Sequence, residues 1–378
     1  MSKSLERDWK EIQMHCITNS ILNFKVLLHN HYNMAAIIEC VPNISEGRDL
    51  DKIEKIVSAA RGINGCSVLG VEPDADYNRT VITIAGEPKS VQEAAYKLIE
   101  SAINNIDMQE HSGEHPRLGV VDVCPFIPLQ GASMDDCSNY ARGLAQRVSA
   151  DFFVPTFLYG YSATHGDRFL LSSLRKEEYE GFRNRLENGE TSHNQNTRYP
   201  DYGPKEWNAK VAKSGGITIG SRDILIAYNV NVDEKDANVS KIIGSTVRSS
   251  GRLIKRNGKR TRIPGMLNKV QGMGVTLESH NISQVSMNIL DINSCPLHIA
   301  FEACRVIAED HGKNLLGSEI VGLVPLKVMT EAGKWFGEKE DASELELVNS
   351  AIEGLGLDYL NAFEAQNRII EWALRSDD

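Results

Sequence analysis

The chain has 378 residues, of which 41% are hydrophobic and 24% charged, and its 51 acidic and 41 basic side chains give a net charge of -10. At about 150 residues per domain, this length predicts two domains or one duplicated unit with a sizeable core. The composition excludes a disordered chain, a collagen-like repeat and a disulfide-rich miniprotein.

Seven scattered cysteines, odd in number and never spaced as C-x-x-C, predict reduced thiols and a cytoplasmic location. No apolar run approaches the ~18 residues that span a bilayer, so we expect no membrane segment. Residues 1–33 mix basic and acidic side chains and lack a small-residue cleavage site. They are either a dispensable extension before an internal start at Met34 or a weak amphipathic targeting segment.

Residues 34–214 form the first predicted subdomain, with the element order βαββαβ followed by one more helix and strand. The predicted strands are 35–41, 67–71, 79–85, 119–127 and 152–158, and the predicted helices are 50–60, 88–102 and 134–148. Residues 186–215 are polar, contain Pro200 and Pro204, and show little periodicity. They predict a linker or mobile loop.

Residues 215–325 repeat the same order and form the second predicted subdomain. Its strands are 223–232, 270–277, 282–291 and 315–324, and its helices are 234–250 and 296–311. Residues 326–378 add helices at 325–338, 343–355 and 361–375. Two split βαββαβ subdomains predict an α/β fold of the α+β type, with helices outside and the bare sheet faces packed against each other. A crevice between the halves is then a natural ligand site.

The segment His111-Ser112-Gly113-Glu114-His115-Pro116-Arg117 is the richest in chemistry. Gly113 and Pro116 prevent a regular helix, so both imidazoles lie on a shaped loop before a strand. An imidazole suits acid–base chemistry at neutral pH. From chemistry alone, a catalytic histidine, a structural loop and a metal site all remain open, although the H-x-x-x-H spacing serves two metal ligands only on a helix.

Two turns carry further polar residues. In the turn 72–79, Glu72 could face the crevice, and Asn78 and Arg79 could hold a carboxylate, but local backbone capping explains the same residues. Asn43 follows the first strand and precedes a helix. Its amide and the exposed N–H groups beside it could bind an anion, or they could simply cap the helix.

Residues 247–262 hold seven cations and no acid, inside a chain of net charge -10. A solvated loop is the usual explanation for a charge run. Because this run is positive in a chain whose net charge is negative, a polyanionic ligand is favoured. Nucleic acid fits poorly because the rest of the surface repels phosphate, so a small ligand with many carboxylates fits better. No G-x-G-x-x-G, Walker or G-x-S-x-G motif is present, which disfavours nucleotide and covalent-serine chemistry.

Several strings resemble the formiminotransferase domain of the formiminotransferase-cyclodeaminase family over about residues 36–373. They are E-C-V-P-N-I-S-E-G at 39–47, N-R-T-V at 78–81, G-E-H-P-R-L-G at 113–119, D-V-C-P-F-I-P at 122–128, K-V-Q-G-M-G at 269–274, Q-V-S-M-N at 284–288 and G-S-E-I-V-G-L-V-P at 317–325.

The resemblance implies a glutamate formimidoyltransferase of histidine degradation, which moves the formimino group of N-formimino-L-glutamate to tetrahydrofolate. It implies two α/β subdomains facing each other across a charged tunnel, a homodimer and no metal. The family's catalytic histidine falls on His115, and Glu72 takes the place of its acidic residue, where an aspartate is usual. The family's folate-binding loop aligns with 203–215, including Gly203, Pro204, Ser214 and Gly215, although this chain has extra residues and different side chains there.

Under this reading, Asn43, Asn78, Arg79 and Arg117 are candidates for binding the substrates. Arg252, Lys255 and Arg256 could receive the polyglutamate tail of the folate. The family is often fused to a cyclodeaminase, and this chain ends just after the transferase region, so we expect a stand-alone enzyme that releases 5-formiminotetrahydrofolate or passes it to a separate cyclodeaminase. The alternatives are a folate-binding paralogue with a different or no transferase activity, and a polyanion-binding protein.

Overall fold

The computed structural model of the protein describes residues 36–75, 77–113, 116–187, 189–337, 339 and 341–376. The expectation for residues 1–33 lies outside these ranges. None of the helices in these ranges combines the length and the apolar character that crossing a membrane requires.

The first unit contains β1 (Ile37–Cys40), β2 (Asn43–Ile44), α1 (Leu50–Arg61), β3 (Cys66–Asp74), β4 (Arg79–Gly86), α2 (Pro88–Asn105), β5 (Val121–Gln130), α3 (Met134–Phe152), β6 (Thr156–Gly160), the short helices α4 (Leu171–Leu174), α5 (Glu178–Leu186), α6 (Gln195–Arg198) and α7 (Ala209–Ser214), and β7 (Ile217–Ser221).

Seven strands form the sheet of this unit, in the spatial order β3, β4, β1 with β2, β5, β7, β6. β1 and β2 lie end to end between β4 and β5, because each of them pairs with both neighbours. The helices α1, α2 and α3 cover one face, where side chains such as Ile38, Ile84 and Phe126 join a single core with the apolar stripes of the helices. The predicted βαββαβ order is confirmed, and it places the loops before β4 and β5 side by side.

β7 is a difference from the sequence prediction, which began the second subdomain at residue 215. This strand lies between β5 and β6 and runs parallel to both, with Thr218 opposite Val123 and Phe157. All five of its residues are buried. A short strand buried on both faces has no alternating pattern, and here it directly follows a polar segment. The first unit therefore extends to Ser221.

The second unit contains β8 (Ile226–Val232), α8 (Asn238–Val247), β9 (Arg252–Arg256), β10 (Lys259–Ile263), β11 (Val270–Leu277), β12 (Ile282–Ile289), α9 (Leu297–Asp310), β13 (Leu315–Val321), α10 (Leu326–Phe336), α11 (Glu344–Leu355), α12 (Ala365–Arg368) and α13 (Ile370–Ser376). Where the sequence predicts one helix over 361–375, the structure has the two short helices α12 and α13.

Four antiparallel strands form its sheet, in the order β11, β12, β8, β13. One face carries Tyr228, Val230 and Val232 and packs against α8 to α11 in a second core. The other face carries polar side chains that pair across strands. Asn229 donates to Glu319 at 3.3 Å, and Gln284 donates to Asn231 at 2.9 Å. The terminal helices α10 and α11 thus belong to the second core.

The segment 161–215 is packed against the first unit, whereas the sequence predicted a linker or mobile loop over 186–215. Arg185, which is 1% exposed, donates to the carbonyls of Leu174, Thr197 and Arg198 and lies 4.4 Å from the Phe157 ring. Composition suggested mobility because the segment is polar. Its order comes from buried guanidinium groups that satisfy its backbone carbonyls, which composition does not reveal.

The face of the first sheet remote from α1 to α3 meets the second unit. A Cβ at Gly70 of β3 would lie 3.0 Å from Leu323, and α13 contacts β3 and β4. Glu39 of β1 is on this face, and burial raises the pKa of its carboxyl to about 7 against the lowering effect of Arg222. The interface between the units is therefore polar as well as apolar.

Six of the seven cations of the run lie on a hairpin of β9 and β10, which is closed by Asn257 and Gly258 at positive φ, the geometry of a two-residue Asn-Gly turn. All its cations are exposed. Arg256 lies opposite Lys259, and Lys255 lies opposite Arg260. Directly opposed like charges destabilise a hairpin, and an isolated hairpin is marginally stable.

Replacing Arg185 with methionine tests the role of the buried guanidinium in ordering the segment 161–215. Three buried carbonyls lose their donor, so we expect the free energy of unfolding to fall by about 3–5 kcal/mol. Urea denaturation followed by circular dichroism measures it. The control is Arg183→Met on the same helix, whose exposed ion pair with Glu187 predicts a loss below about 1 kcal/mol. Equal losses in both variants would contradict this role.

Candidate functional site

Three loops of the first unit surround a small pocket near the beginning of β5. One loop follows β2, the second precedes β4, and the third precedes β5. The pocket is lined by Asn43, Ile44, Ser45, Tyr77, Asn78, Arg79, His111, Arg117 and Asp122. The structure therefore brings together four of the predicted substrate-binding residues, Asn43, Asn78, Arg79 and Arg117.

Asn78 joins all three loops through its side chain. Its Oδ1 accepts from the Gly47 N–H at 3.0 Å, and its Nδ2 donates to the Ser112 carbonyl at 2.8 Å. Its backbone has φ 50, in the left-handed region that asparagine tolerates better than most residues. Asn78 is 7% exposed, so both ends of its amide are engaged inside the protein.

Two glycines allow these loops to approach each other closely. A Cβ at Gly47 would lie 2.1 Å from the Asp74 carbonyl oxygen, and a Cβ at Gly113 would lie 2.5 Å from the Tyr77 carbonyl oxygen. No larger residue fits either position without a backbone shift. The glycine of the G-E-H-P string is thus a contact of the loop that contains Asn78.

His111 and Arg117 contact each other across the third loop. The Nε of Arg117 donates to His111 Nδ1 at 3.2 Å, and His111 Nε2 lies 2.9 Å from the Asn78 carbonyl oxygen. Arg117, which is 6% exposed, also binds Glu178 and Glu180 of α5. Its guanidinium is therefore largely engaged by internal carboxylates.

Arg79 and Asp122 set the remaining charge of the pocket. Burial lowers the pKa of the Arg79 guanidinium, while Asp74 and Asp122 act in the opposite direction. Burial raises the pKa of the Asp122 carboxyl, which is opposed by Arg175 and by the backbone N–H of Leu118. Asp122 is thus balanced by Arg175, and Arg79 remains as a cation at the pocket wall.

Glu72 does not line this pocket. It lies on β3, on the sheet face that meets the second unit, and its carboxylate oxygens are 3.8 Å from where a Cβ of Gly322 would be. His115 and Glu114 lie outside the described residues, so the roles predicted for His115 and Glu72 stay predictions.

The segment 203–215 runs along the edge at which β5, β6 and β7 begin. Gly203 has φ 92 and packs against Val154 before β6. The carbonyl of Ser214 accepts from the Val120 N–H at 2.8 Å, and Gly215 pairs with Gly119. Ser214 and Gly215 are therefore adjacent to the strand that carries the pocket, while Gly203 and Pro204 lie two strands away.

Several residues of the site were not predicted from the sequence as parts of it. Asp122 lies in a recognised string, but an isolated aspartate in an apolar strand gave no sign that Arg175 would pair with it. Glu178 and Glu180 lie 61 and 63 residues after Arg117 and belong to no motif. Arg252, Lys255 and Arg256 lie on the hairpin and do not line the pocket.

Among the described residues, no group of three or more His, Cys, Asp or Glu side chains is arranged to hold a metal ion. The H-x-x-x-H spacing of His111 and His115 includes one residue outside the described ranges. His111 is described, and both of its ring nitrogens contact protein atoms, Nδ1 the Arg117 guanidinium and Nε2 the Asn78 carbonyl.

Comparison with known proteins finds one family along nearly the whole described chain. The formiminotransferase domain, N-terminal subdomain, matches residues 37–222, and the formiminotransferase domain matches residues 227–375. The break between them follows β7.

Individual relatives agree with this match. Glutamate formimidoyltransferase of Streptococcus pyogenes serotype M1 is 36% identical over 309 residues, covering 82% of this chain and 95% of that protein. The enzyme of that name from Thermoplasma acidophilum is 34% identical and covers 80% of this chain and 92% of that protein. Formimidoyltransferase-cyclodeaminase of Rattus norvegicus is 38% identical over 90% of this chain, which spans 60% of that protein.

Replacing Gly113 with alanine tests the close approach of the loops. The added Cβ would overlap the backbone at Tyr77, so we expect the free energy of unfolding to fall by about 1–3 kcal/mol and amide exchange in residues 108–113 to accelerate. Chemical denaturation and hydrogen-exchange mass spectrometry measure these effects. Gly62→Ala is the control, because no atom lies within 4 Å of its Cβ. Unchanged exchange in the Gly113 variant would contradict the packing argument.

Proposed function

The chain belongs to the formiminotransferase family, and we propose that it is a glutamate formimidoyltransferase. The observation that carries this proposal is the 36% identity that extends over 95% of the streptococcal enzyme. The reaction would move the formimino group of N-formimino-L-glutamate to N5 of tetrahydrofolate, giving 5-formiminotetrahydrofolate and L-glutamate. Tetrahydrofolate is then a co-substrate that is consumed in each turnover.

The chemistry requires one proton to move from the acceptor to the leaving group. N5 of the folate attacks the amidine carbon, and the tetrahedral intermediate expels the glutamate nitrogen, which must gain a proton as the N5 proton is lost. A single neutral imidazole can accept the first proton and return it, which is the role that we propose for His115. Holding both substrates beside that imidazole lowers the barrier further by proximity.

Arg79 and Asn43 line the pocket, and we propose that they bind a carboxylate of the donor. The Nδ2 of Asn43 also donates to the Val41 carbonyl at 3.1 Å. Asn78 and Arg117 each engage two or more groups of other loops or helices. Their contribution is therefore proposed to be mainly the placement of the loops.

The folate is proposed to bind between the two units. Glu72 lies on the face of the first sheet that meets the second unit, and one face of the second sheet carries amide and carboxylate side chains such as Asn229 and Glu319. Ser214 and Gly215 approach the pocket through Gly119. A homodimer, a cytoplasmic location and transfer of the product to a separate cyclodeaminase stay predictions.

Replacing His115 with alanine or asparagine tests the proposed acid–base role. Loss of proton transfer predicts a fall in kcat of about 10²–10⁴-fold in a spectrophotometric assay with formiminoglutamate and tetrahydrofolate. His165→Ala removes an exposed histidine and serves as the control. Wild-type protein that binds tetrahydrofolate tightly without turnover would refute the transferase and favour a folate-binding paralogue.

The exposed hairpin supports a separate proposal, that its cations bind the polyglutamate tail of the folate. None of the ion pairs among the described residues uses a cation of β9 or β10, so these charges are available to an external anion. Strand alternation places Arg252 and Arg256 on one face and Lys255 on the other. A flexible tail with several carboxylates can reach both faces, and it would relieve the repulsion between the opposed cations.

Neutralising Arg252, Lys255 and Arg256 to glutamine tests this proposal. Each exposed ion pair between a hairpin cation and a tail carboxylate contributes about 0.5 kcal/mol, so losing three should raise KM for polyglutamylated tetrahydrofolate roughly tenfold. KM for the monoglutamate should change little. The effect on the polyglutamate should be weaker at high salt. The control removes three exposed lysines elsewhere, Lys89, Lys235 and Lys334. Equal effects on both folates would refute the proposal.

A further inference from the structure

The hydrogen bond between His111 and Arg117 joins the two ends of the segment that contains His115. Arg117 Nε donates to His111 Nδ1 at 3.2 Å. The upstream end is also fixed by Gly113, which packs against Tyr77, and the downstream end by the Arg117 carbonyl, which accepts from the Tyr179 N–H at 2.9 Å. The described residues on both sides of Glu114 and His115 are thus anchored.

The partners of His111 determine its protonation state. Arginine carries only donors, so the His111 Nδ1 that faces Arg117 Nε–H must present its lone pair. The Asn78 carbonyl accepts only, so the His111 Nε2 that faces it must carry the proton. Both contacts are satisfied by one species, the neutral imidazole protonated at Nε2. Its Nδ1 lone pair is therefore already used inside the protein.

We infer that His111 is a positioning residue, a neutral imidazole that binds Arg117 and the Asn78 backbone and thereby holds together the described residues on the two sides of Glu114 and His115. The consequence for catalysis rests on the proposed transferase function. His111 acts through the loop, and it is distinct from the group that moves protons in the reaction.

The charged groups around His111 shift its pKa in both directions. Burial lowers the pKa of His111, and Arg117 and Arg48 lower it further, whereas the hydrogen bond to Asn78 and the carboxylate of Glu46 raise it. Glu180 lies on the far side of Arg117, and Tyr77, Arg79 and Asp122 complete the pocket wall. Protonation at low pH would set an Nδ1–H against the Arg117 Nε–H, so acid should open this contact.

Glutamine is the informative replacement for His111. Its Oε1 can accept from Arg117 and its Nε2 can donate to Asn78, but it neither titrates nor acts as a base. If His111 only positions the loop, His111→Ala should lower kcat roughly tenfold to a hundredfold with a smaller change in KM, and His111→Gln should recover most of that loss. In the pH profile of kcat, the part of the fall at low pH that comes from protonation of His111 should be absent from His111→Gln.

Two outcomes of the kinetic experiment would overturn the inference. Either His111→Gln is as impaired as His111→Ala, which would make the imidazole itself essential, or His111→Ala retains wild-type kcat. Thermal unfolding of each variant separates a loss of fold from a loss of positioning.

Nitrogen NMR of histidine-labelled wild-type protein tests the same inference without turnover. The signal that disappears in His111→Gln should show a protonated Nε2 and an unprotonated Nδ1 at neutral pH. A proton on Nδ1, or a charged ring, would overturn the inference. Absence of turnover in the wild type would refute the proposed transferase, while the NMR result would still decide the state of His111.

Discussion

The side-chain amide of Asn78 is the contact on which the geometry of the pocket depends. One amide group holds the Gly47 N–H and the Ser112 carbonyl, and its own backbone carbonyl faces His111. Three loops that are separated by more than thirty residues in sequence therefore share one buried polar group. Because Asn78 is 7% exposed, water cannot easily replace its partners, and loss of the amide would leave buried backbone groups unsatisfied. Glycines at 47 and 113 are required at this junction because the backbones meet there at distances that exclude a side chain.

Arginines in this protein serve different purposes according to what surrounds them. Arg185 is buried and binds backbone carbonyls, and Arg117 is buried and binds glutamates, so each mainly orders the first unit. Arg79 faces the pocket, and the hairpin arginines face solvent. The Arg185 guanidinium is a structural cross-link, since moving it would leave buried carbonyls unpaired. The glutamates that bind Arg117 are partly exposed, so its ion pairs are the weaker constraint. The net charge of -10 therefore conceals a division between arginines that bind groups of the first unit and the exposed cations of the hairpin.

The sequence predicted the elements with clear periodicity and missed those whose order depends on distant partners. The strand-helix order of both halves followed from alternating and helical apolar patterns, as in the strand of Ile38 and the helix of Leu98. β7 and the segment 161–215 were missed because a strand buried on both faces, and helices ordered by buried arginines, leave no local pattern. Within the site, the sequence indicated Asn43, Asn78, Arg79 and Arg117 as substrate-binding candidates, and the structure brings these four residues together in one pocket. What the motifs could not reveal is that Asn78 and Arg117 bind the protein itself, since this depends on Glu178, Glu180 and backbone atoms of other loops.

The contact between the two units links the pocket side of the first sheet to the end of the chain. Glu39 and Glu72 lie on the sheet face that α13 and the loop at Gly322 approach, and Glu371 of α13 raises the pKa of Glu39. The carboxylates of Glu39 and Glu371 repel each other when both are ionised, and Arg222, which follows β7, opposes this effect by lowering the pKa of Glu39. Arg222 directly follows β7, the strand that the sequence pattern did not reveal, and β7 pairs with β5, which bears Asp122. The inner strand β7 therefore lies beside the strand of the pocket and leads directly into an arginine that acts on Glu39 at the contact between the units.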